Sequence, residues 1–149
     1  YTITCTTLPN EVQEALSFLV KKGKPSQEID EIEGLLVLGL WASFERFLRD
    51  YLQEKGAVLK QYIQPLPLDS WYEHFSKNVE RWEPRDILNF LKDSLFTTPT
   101  LQALIDKAQH ILTHRHRVAH ANPNRRNSKY VLKDVYETLN EIINRLLQY

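Results

Sequence analysis

Groups able to bind a phosphate and move a proton are concentrated in one short segment of the chain, RHRVAH at residues 115–120. An imidazole titrates near neutral pH, and a guanidinium holds phosphate through bidentate, charge-assisted hydrogen bonds. RNA supplies its own nucleophile, the 2′-hydroxyl, so a base, an acid and a cation on the phosphate suffice for strand cleavage. The segment therefore has the residue types for phosphodiester cleavage without a metal ion.

The surroundings of this segment are basic although the formal net charge of the chain is zero. Between Asp106 and Asp134 there is no acidic residue, whereas seven of the 19 basic residues and four of the five histidines fall there. Such polarity favours an anionic partner, and RNA or a phosphate is the expected one. The residues predicted to contact its phosphates are Arg117, Arg125, Arg126 and Lys129, although a solvated basic loop is the alternative for the last three.

Arg115 interrupts an otherwise apolar helix face, which carries Leu104, Ala108, Ile111 and Leu112 among others. Because an unpaired buried guanidinium is costly, Arg115 needs either a carboxylate partner or a dimer cleft that receives an anion. His120 lies five residues later, about 140° around an ideal helix. The two can converge on one phosphate only if the helix ends near His120 or a second subunit completes the site, and the nearby Pro123 favours such an end.

The elements that position these residues are predicted to be helices, since the recurring apolar periodicity is helical. Only residues 1–8 look β-like. We predict an all-α antiparallel bundle of about five to six helices, in one domain spanning residues 1–149. The second helix is expected to be long, capped by Ser26 and stopped by Gly56. The predicted helices cover residues 10–22, 26–56, 69–81, 83–95, 101–120 and 129–148.

Composition excludes several classes. With 149 residues, 42% of them apolar and 26% charged, the chain fits a globular domain, and its longest apolar run, residues 35–41, is too short to cross a membrane. Cys5 is the only cysteine, which rules out an internal disulfide and favours a cytoplasmic location. His110 and His114 have the spacing of a zinc pair, but no further ligand set is visible, so we expect no metal and no cofactor. The start at Tyr1 and the absence of methionine suggest a piece of a longer chain.

Two segments resemble the HEPN superfamily. Arg115, the polar His116 and then His120 match the Arg-to-His signature, although the family more often has Asn or Asp at the second position. The segment WASFERFLRDYL at residues 41–52 is similar to the HEPN helix whose acidic residue, here Glu45, faces the motif. The chain as a whole resembles stand-alone prokaryotic HEPN domains.

This resemblance implies a helical homodimer whose two motifs face each other across a cleft and cleave single-stranded RNA without metal, leaving a 2′,3′-cyclic phosphate. His120 would transfer protons, Arg115 would clamp the phosphate, His116 would orient or bind it, and Glu45 would hold Arg115 or position substrate. The resemblance also implies a role as a toxin or in antiviral defence, with a nucleotidyltransferase-like antitoxin as one partner.

Three alternatives stay open. Some HEPN domains bind nucleotides, RNA or proteins without cutting, and an interaction domain would use Arg115 for packing alone. Glu45 also has an ordinary intrahelical partner in Arg49, four residues later. The tryptophans Trp41, Trp71 and Trp82 are expected to be core or dimer contacts rather than base-stacking platforms.

Overall fold

The computed structural model describes residue 14 and residues 26–62, 68–119 and 131–149. These residues form five helices and no strand, which confirms the predicted all-α class of helical bundle. The helices are α1 (Ser26–Tyr62), α2 (Leu68–Arg81), α3 (Pro84–Ser94), α4 (Pro99–Ala119) and α5 (Leu132–Leu146). The predicted helix over residues 10–22 lies outside the described residues except for Glu14, which is helical, and residues 1–8 lie outside them too.

Helix α1 is longer than the sequence predicted. It has 37 residues, which at 1.5 Å per residue is about 55 Å, and it continues through Gly56 to Tyr62. The prediction that Gly56 stops the helix is wrong. A Cβ atom at this position would lie 2.6 Å from Cε1 of Phe75 and 2.8 Å from its Cδ1. Gly56 is therefore a point of close approach between α1 and α2, and not a helix terminus.

Proline begins α3 and α4, in agreement with its preference for the first helical turn. Glu83 precedes α3 in an extended conformation, and its carbonyl accepts a hydrogen bond of 2.9 Å from the backbone N–H of Asp86. Helix α4 begins two residues before the predicted position, because Thr98 can cap it. The hydroxyl of Thr98 accepts a hydrogen bond of 3.4 Å from the backbone N–H of Leu101.

The chain divides into two compact units, and the division falls within α1 and within α4. The first unit comprises Tyr1–Trp41 and Asp106–Tyr149. Its described core takes Val37 and Trp41 from α1, together with apolar residues of the two C-terminal helices. Those residues are Ala108, Ile111, Leu112, Leu132, Val135, Tyr136, Leu139, Ile142 and Leu146.

The second unit is Ala42–Ile105. Its buried apolar residues are Phe44, Leu48, Tyr51, Leu52, Val79, Ile87, Leu88, Leu91, Phe96 and Ile105. Arg49 lies among them with only 8% of its surface exposed, and it is the one buried charged residue in the described part of the chain. The prediction of a single domain for residues 1–149 stays a prediction.

The apolar segment at residues 35–41 is covered on one side. Val37 and Trp41 are buried, whereas Leu35 is 67% exposed. In the described parts of the chain, no helix is long and apolar enough to span a membrane.

Candidate functional site

Helix α4 places Arg115 on its buried face, as the sequence predicted. Ile105, Ala108, Ile111 and Leu112 are all buried, and at about 100° per residue Arg115 falls in the middle of the sector that they define. Arg115 itself is only partly exposed. A guanidinium group is thus held against the apolar interior of the first unit.

The guanidinium of Arg115 is incompletely satisfied. Its Nε atom is buried and has no hydrogen-bond partner among the described residues. Leaving a buried N–H without an acceptor costs about 1–3 kcal/mol. Because a buried unsatisfied donor is unusual in a folded protein, Arg115 is a candidate for contact with an anion.

The neighbours of Arg115 on α4 face outward. His116 and Arg117 are exposed, and so is His110, five residues before Arg115. His114 is partly buried, and its pKa lies below the usual value because burial disfavours the imidazolium and because Arg117 adds a nearby positive charge. The C-terminal part of α4 therefore combines one interior cation with imidazole and guanidinium groups at the surface.

Helix α1 packs tightly against the same part of α4. A Cβ atom built on Gly34 would lie 2.9 Å from Cγ1 of Val118, three residues after Arg115. Only a residue without a side chain fits there unless Val118 shifts. Gly34 was not among the residues singled out from the sequence, since a glycine inside a helical pattern gives no indication of its tertiary neighbour.

Glu45 has a partner other than Arg115. Its carboxylate accepts a hydrogen bond of 2.7 Å from Nη2 of Arg49, one turn later on α1. This is the intrahelical pairing that the sequence left as an alternative. Glu45 and Arg49 belong to the second unit and Arg115 to the first, and the predicted role of Glu45 toward Arg115 or substrate stays a prediction.

In addition to its pair with Glu45, Arg49 binds the C-terminal end of α2. Its Nη1 donates to the carbonyl of Val79, and its Nη2 donates to the carbonyl of Trp82 at 2.8 Å. The last carbonyls of a helix lack intrahelical donors, and a cation near them is favourable. The exposed Arg46, one turn before Asp50, instead pairs with Asp50 and Glu80, and these contacts raise its pKa and lower that of Glu80.

Four predicted site residues lie outside the described residues: His120, Arg125, Arg126 and Lys129. Of the predicted catalytic residues, Arg115 and His116 are described, and they are adjacent on α4 but face different directions, one inward and one outward. Among the described residues, no group of three or more His, Cys, Asp or Glu side chains is arranged to hold a metal ion.

Comparison with known proteins adds no relative: no family model, no curated protein and no solved structure matches the chain.

Proposed function

We propose that the chain is a HEPN-type endoribonuclease that cleaves single-stranded RNA without a metal ion. The observation that carries the proposal is Arg115, a guanidinium on the buried face of α4 whose Nε is buried and lacks a partner among the described residues. A side chain kept there for packing would be better replaced by an apolar one. A role in binding an anion accounts for both the position of Arg115 and its unsatisfied N–H.

The proposed reaction begins when a base removes the proton of the ribose 2′-hydroxyl and the 2′-oxygen attacks the adjacent phosphorus. The bond from phosphorus to the 5′-oxygen of the next nucleotide then breaks, and an acid protonates that leaving oxygen. The products are a 2′,3′-cyclic phosphate and a 5′-hydroxyl. Arg115 would bind the non-bridging oxygens, whose negative charge grows in the transition state.

His120 is assigned the proton transfer and His116 the orientation or binding of the phosphate. The exposed Arg117, with Arg125, Arg126 and Lys129, would contact neighbouring phosphates of the strand. A homodimer would bring two motifs together and is one of the two ways in which Arg115 and His120 could converge on a phosphate, the other being the end of the helix before His120. We place the protein in the cytoplasm as a toxin or defence factor, with a nucleotidyltransferase-like antitoxin as a partner.

The test is cleavage of a labelled single-stranded RNA by the purified protein in excess chelator, with the ends of the products identified. We expect cyclic-phosphate ends, and we expect His120→Ala and Arg115→Ala each to slow cleavage by about 100-fold or more. His110→Ala is the matched control, because it removes an exposed imidazole of the same helix outside the motif.

Two outcomes would contradict the proposal. An inactive wild type, dimeric and folded, on RNAs of varied sequence would leave a binding module that holds RNA or a nucleotide without cutting. Equal loss of activity in His110→Ala and His120→Ala would show that the motif has no special role.

A further inference from the structure

Four aromatic rings of the second unit form a continuous row, here called the aromatic row: Trp71, Phe75, Trp82 and Phe90. Trp71 stacks on Phe75 with a centroid distance of 5.4 Å and an interplanar angle of 7°. Phe75 meets Trp82 edge-on at 6.3 Å, and Trp82 meets Phe90 at 5.3 Å. The row begins on α2, passes the turn before α3 and ends on α3.

Helix α1 packs against the aromatic row at Phe75. Phe75 lies so close to Gly56 that no Cβ atom would fit between them. Phe75 therefore has no room to move toward α1, and its flat stacking orients the indole of Trp71. An aromatic side chain held in one orientation loses little entropy when a further ring stacks on it.

Trp71 lies at the open end of the row, with 42% of its surface exposed, in contrast to the fully buried Trp41. Trp71 is also the first residue of a strip of exposed side chains at helical spacing on α2. The other members of the strip are His74, Asn78 and Arg81. At 1.5 Å per residue this strip is about 15 Å long. It offers an indole, an imidazole, an amide and a guanidinium along one side of the helix.

The acidic residues of α2 point away from this strip, near the opposite side of the helix. Each of them is already paired: Asp69 with Lys60, Glu73 with Lys77, and Glu80 with Arg46. The strip itself contains no carboxylate. With Arg81 as its one formally charged residue, the strip favours a phosphate over a cationic partner.

We propose that this strip binds single-stranded nucleic acid, with a base stacked on Trp71 and a backbone phosphate on Arg81. For Trp71, which is 42% exposed, this replaces the expectation from the sequence that it is a core or dimer contact. Stacking on aromatic rings beside a cation is how proteins hold unpaired strands without reading their sequence. A paired duplex would not expose a base face to Trp71. The inference rests on the proposed function for the identity of the physiological strand, RNA, and it adds a binding surface in the second unit to the motif of the first.

The experiment measures binding of a fluorescently labelled 12-nucleotide single-stranded DNA, which lacks the 2′-hydroxyl and cannot be cleaved by the proposed reaction. We expect Trp71→Ala to weaken binding about ten-fold and Trp71→Phe to keep most of the affinity, because phenylalanine retains a ring face. Tyr62→Ala is the matched control, since it removes an aromatic side chain that is 79% exposed but outside the aromatic row. Circular dichroism of each variant checks that it is folded.

A salt titration separates the two contacts. Arg81→Ala should reduce the slope of the logarithm of affinity against the logarithm of salt concentration by about one, because one phosphate contact is lost, whereas Trp71→Ala should leave that slope unchanged.

The outcomes distinguish this inference from the proposed nuclease. Binding that depends on Trp71 in a protein that never cuts RNA supports the strip and rejects the nuclease. Unchanged affinity of a folded Trp71→Ala variant overturns the strip even if the wild type cleaves RNA. A change of oligomeric state in Trp71→Ala, with normal affinity, overturns it in favour of a contact between protein chains.

Discussion

At the scale of single residues, two arginines illustrate opposite fates of a guanidinium in this fold. Arg49 is nearly buried and donates to the carbonyls of Val79 and Trp82 and to the carboxylate of Glu45, so three of its five N–H groups have acceptors within the protein. Arg115 lies on a buried helix face with an N–H left over. The first residue stabilises the fold, and the second carries the proposed chemistry.

The contacts of Arg49 predict a large loss of stability on its removal. Arg49→Ala leaves the carbonyls of Val79 and Trp82 without donors, and we expect the free energy of unfolding to fall by about 2–4 kcal/mol. Arg46→Ala is the control on the same helix, since the pairs of Arg46 with Asp50 and Glu80 are about half exposed and should contribute less than about 1 kcal/mol. Urea unfolding followed by circular dichroism measures both. Equal losses in the two variants would contradict this account of Arg49.

At the scale of elements, the three described glycines of α1 have three different surroundings. A side chain at Gly56 would meet Phe75, a side chain at Gly34 would meet Val118, and one at Gly39 would meet nothing within 4 Å. The helix α1 is thus shaped by two close approaches, one in each unit.

These surroundings predict an order of effects for replacement by alanine. Gly39→Ala should stabilise the protein by up to about 1 kcal/mol, because alanine favours a helix. Gly56→Ala should destabilise it, since Phe75 has to move. Gly34→Ala should be harmful alone but tolerated together with Val118→Ala, which removes the clashing methyl group. Thermal unfolding of these four variants and of Val118→Ala alone tests this, and additive effects of the Gly34 and Val118 substitutions would argue against direct contact.

The helices could be predicted largely from sequence, because apolar periodicity and proline positions are local properties. Pro84 and the periodicity that follows it predict α3 to within one residue at each end. The prediction that Gly56 ends the helix is wrong because a glycine that ends a helix and a glycine that leaves room for a neighbouring ring cannot be distinguished in a sequence. Likewise, the sequence allows Glu45 a partner four residues later, Arg49, or one far along the chain, Arg115, and only the spatial arrangement reveals that the carboxylate pairs with Arg49.

At the scale of the whole molecule, the position of Arg115 on α4 follows from its sequence, whereas the partner that would complete the site does not. An apolar stripe interrupted by one arginine indicates an interior cation, but periodicity carries no information on which surface faces a second copy. The proposed dimer therefore has to be tested by function.

Complementation between inactive variants provides that test. If Arg115 of one subunit acts with His120 of the other, an equal mixture of Arg115→Ala and His120→Ala should regain about a quarter of the wild-type rate. Half of the dimers are then mixed, and each mixed dimer has one complete site. Subunits are exchanged by co-expression with two tags, and the mixed dimer, once purified away from the two inactive parent dimers, should show about half of the wild-type rate. A mixed dimer as inactive as its parents would place both residues of each site in one chain.

At the position of Arg115, the residue that would most favour folding differs from the residue that the proposed function needs, because the arginine leaves an N–H unsatisfied. A methionine there would fill the apolar face of α4 without burying a polar group, so the sequence best suited to folding is not the one best suited to phosphate. The free-energy cost of the unsatisfied N–H is present only while the site is empty. An anion that supplies the missing acceptor removes that cost, and the difference contributes to the binding free energy of the anion. A bound phosphate would then complete the hydrogen bonds of the protein's interior. The melting temperature should therefore rise with the concentration of the phosphate compound that Arg115 binds.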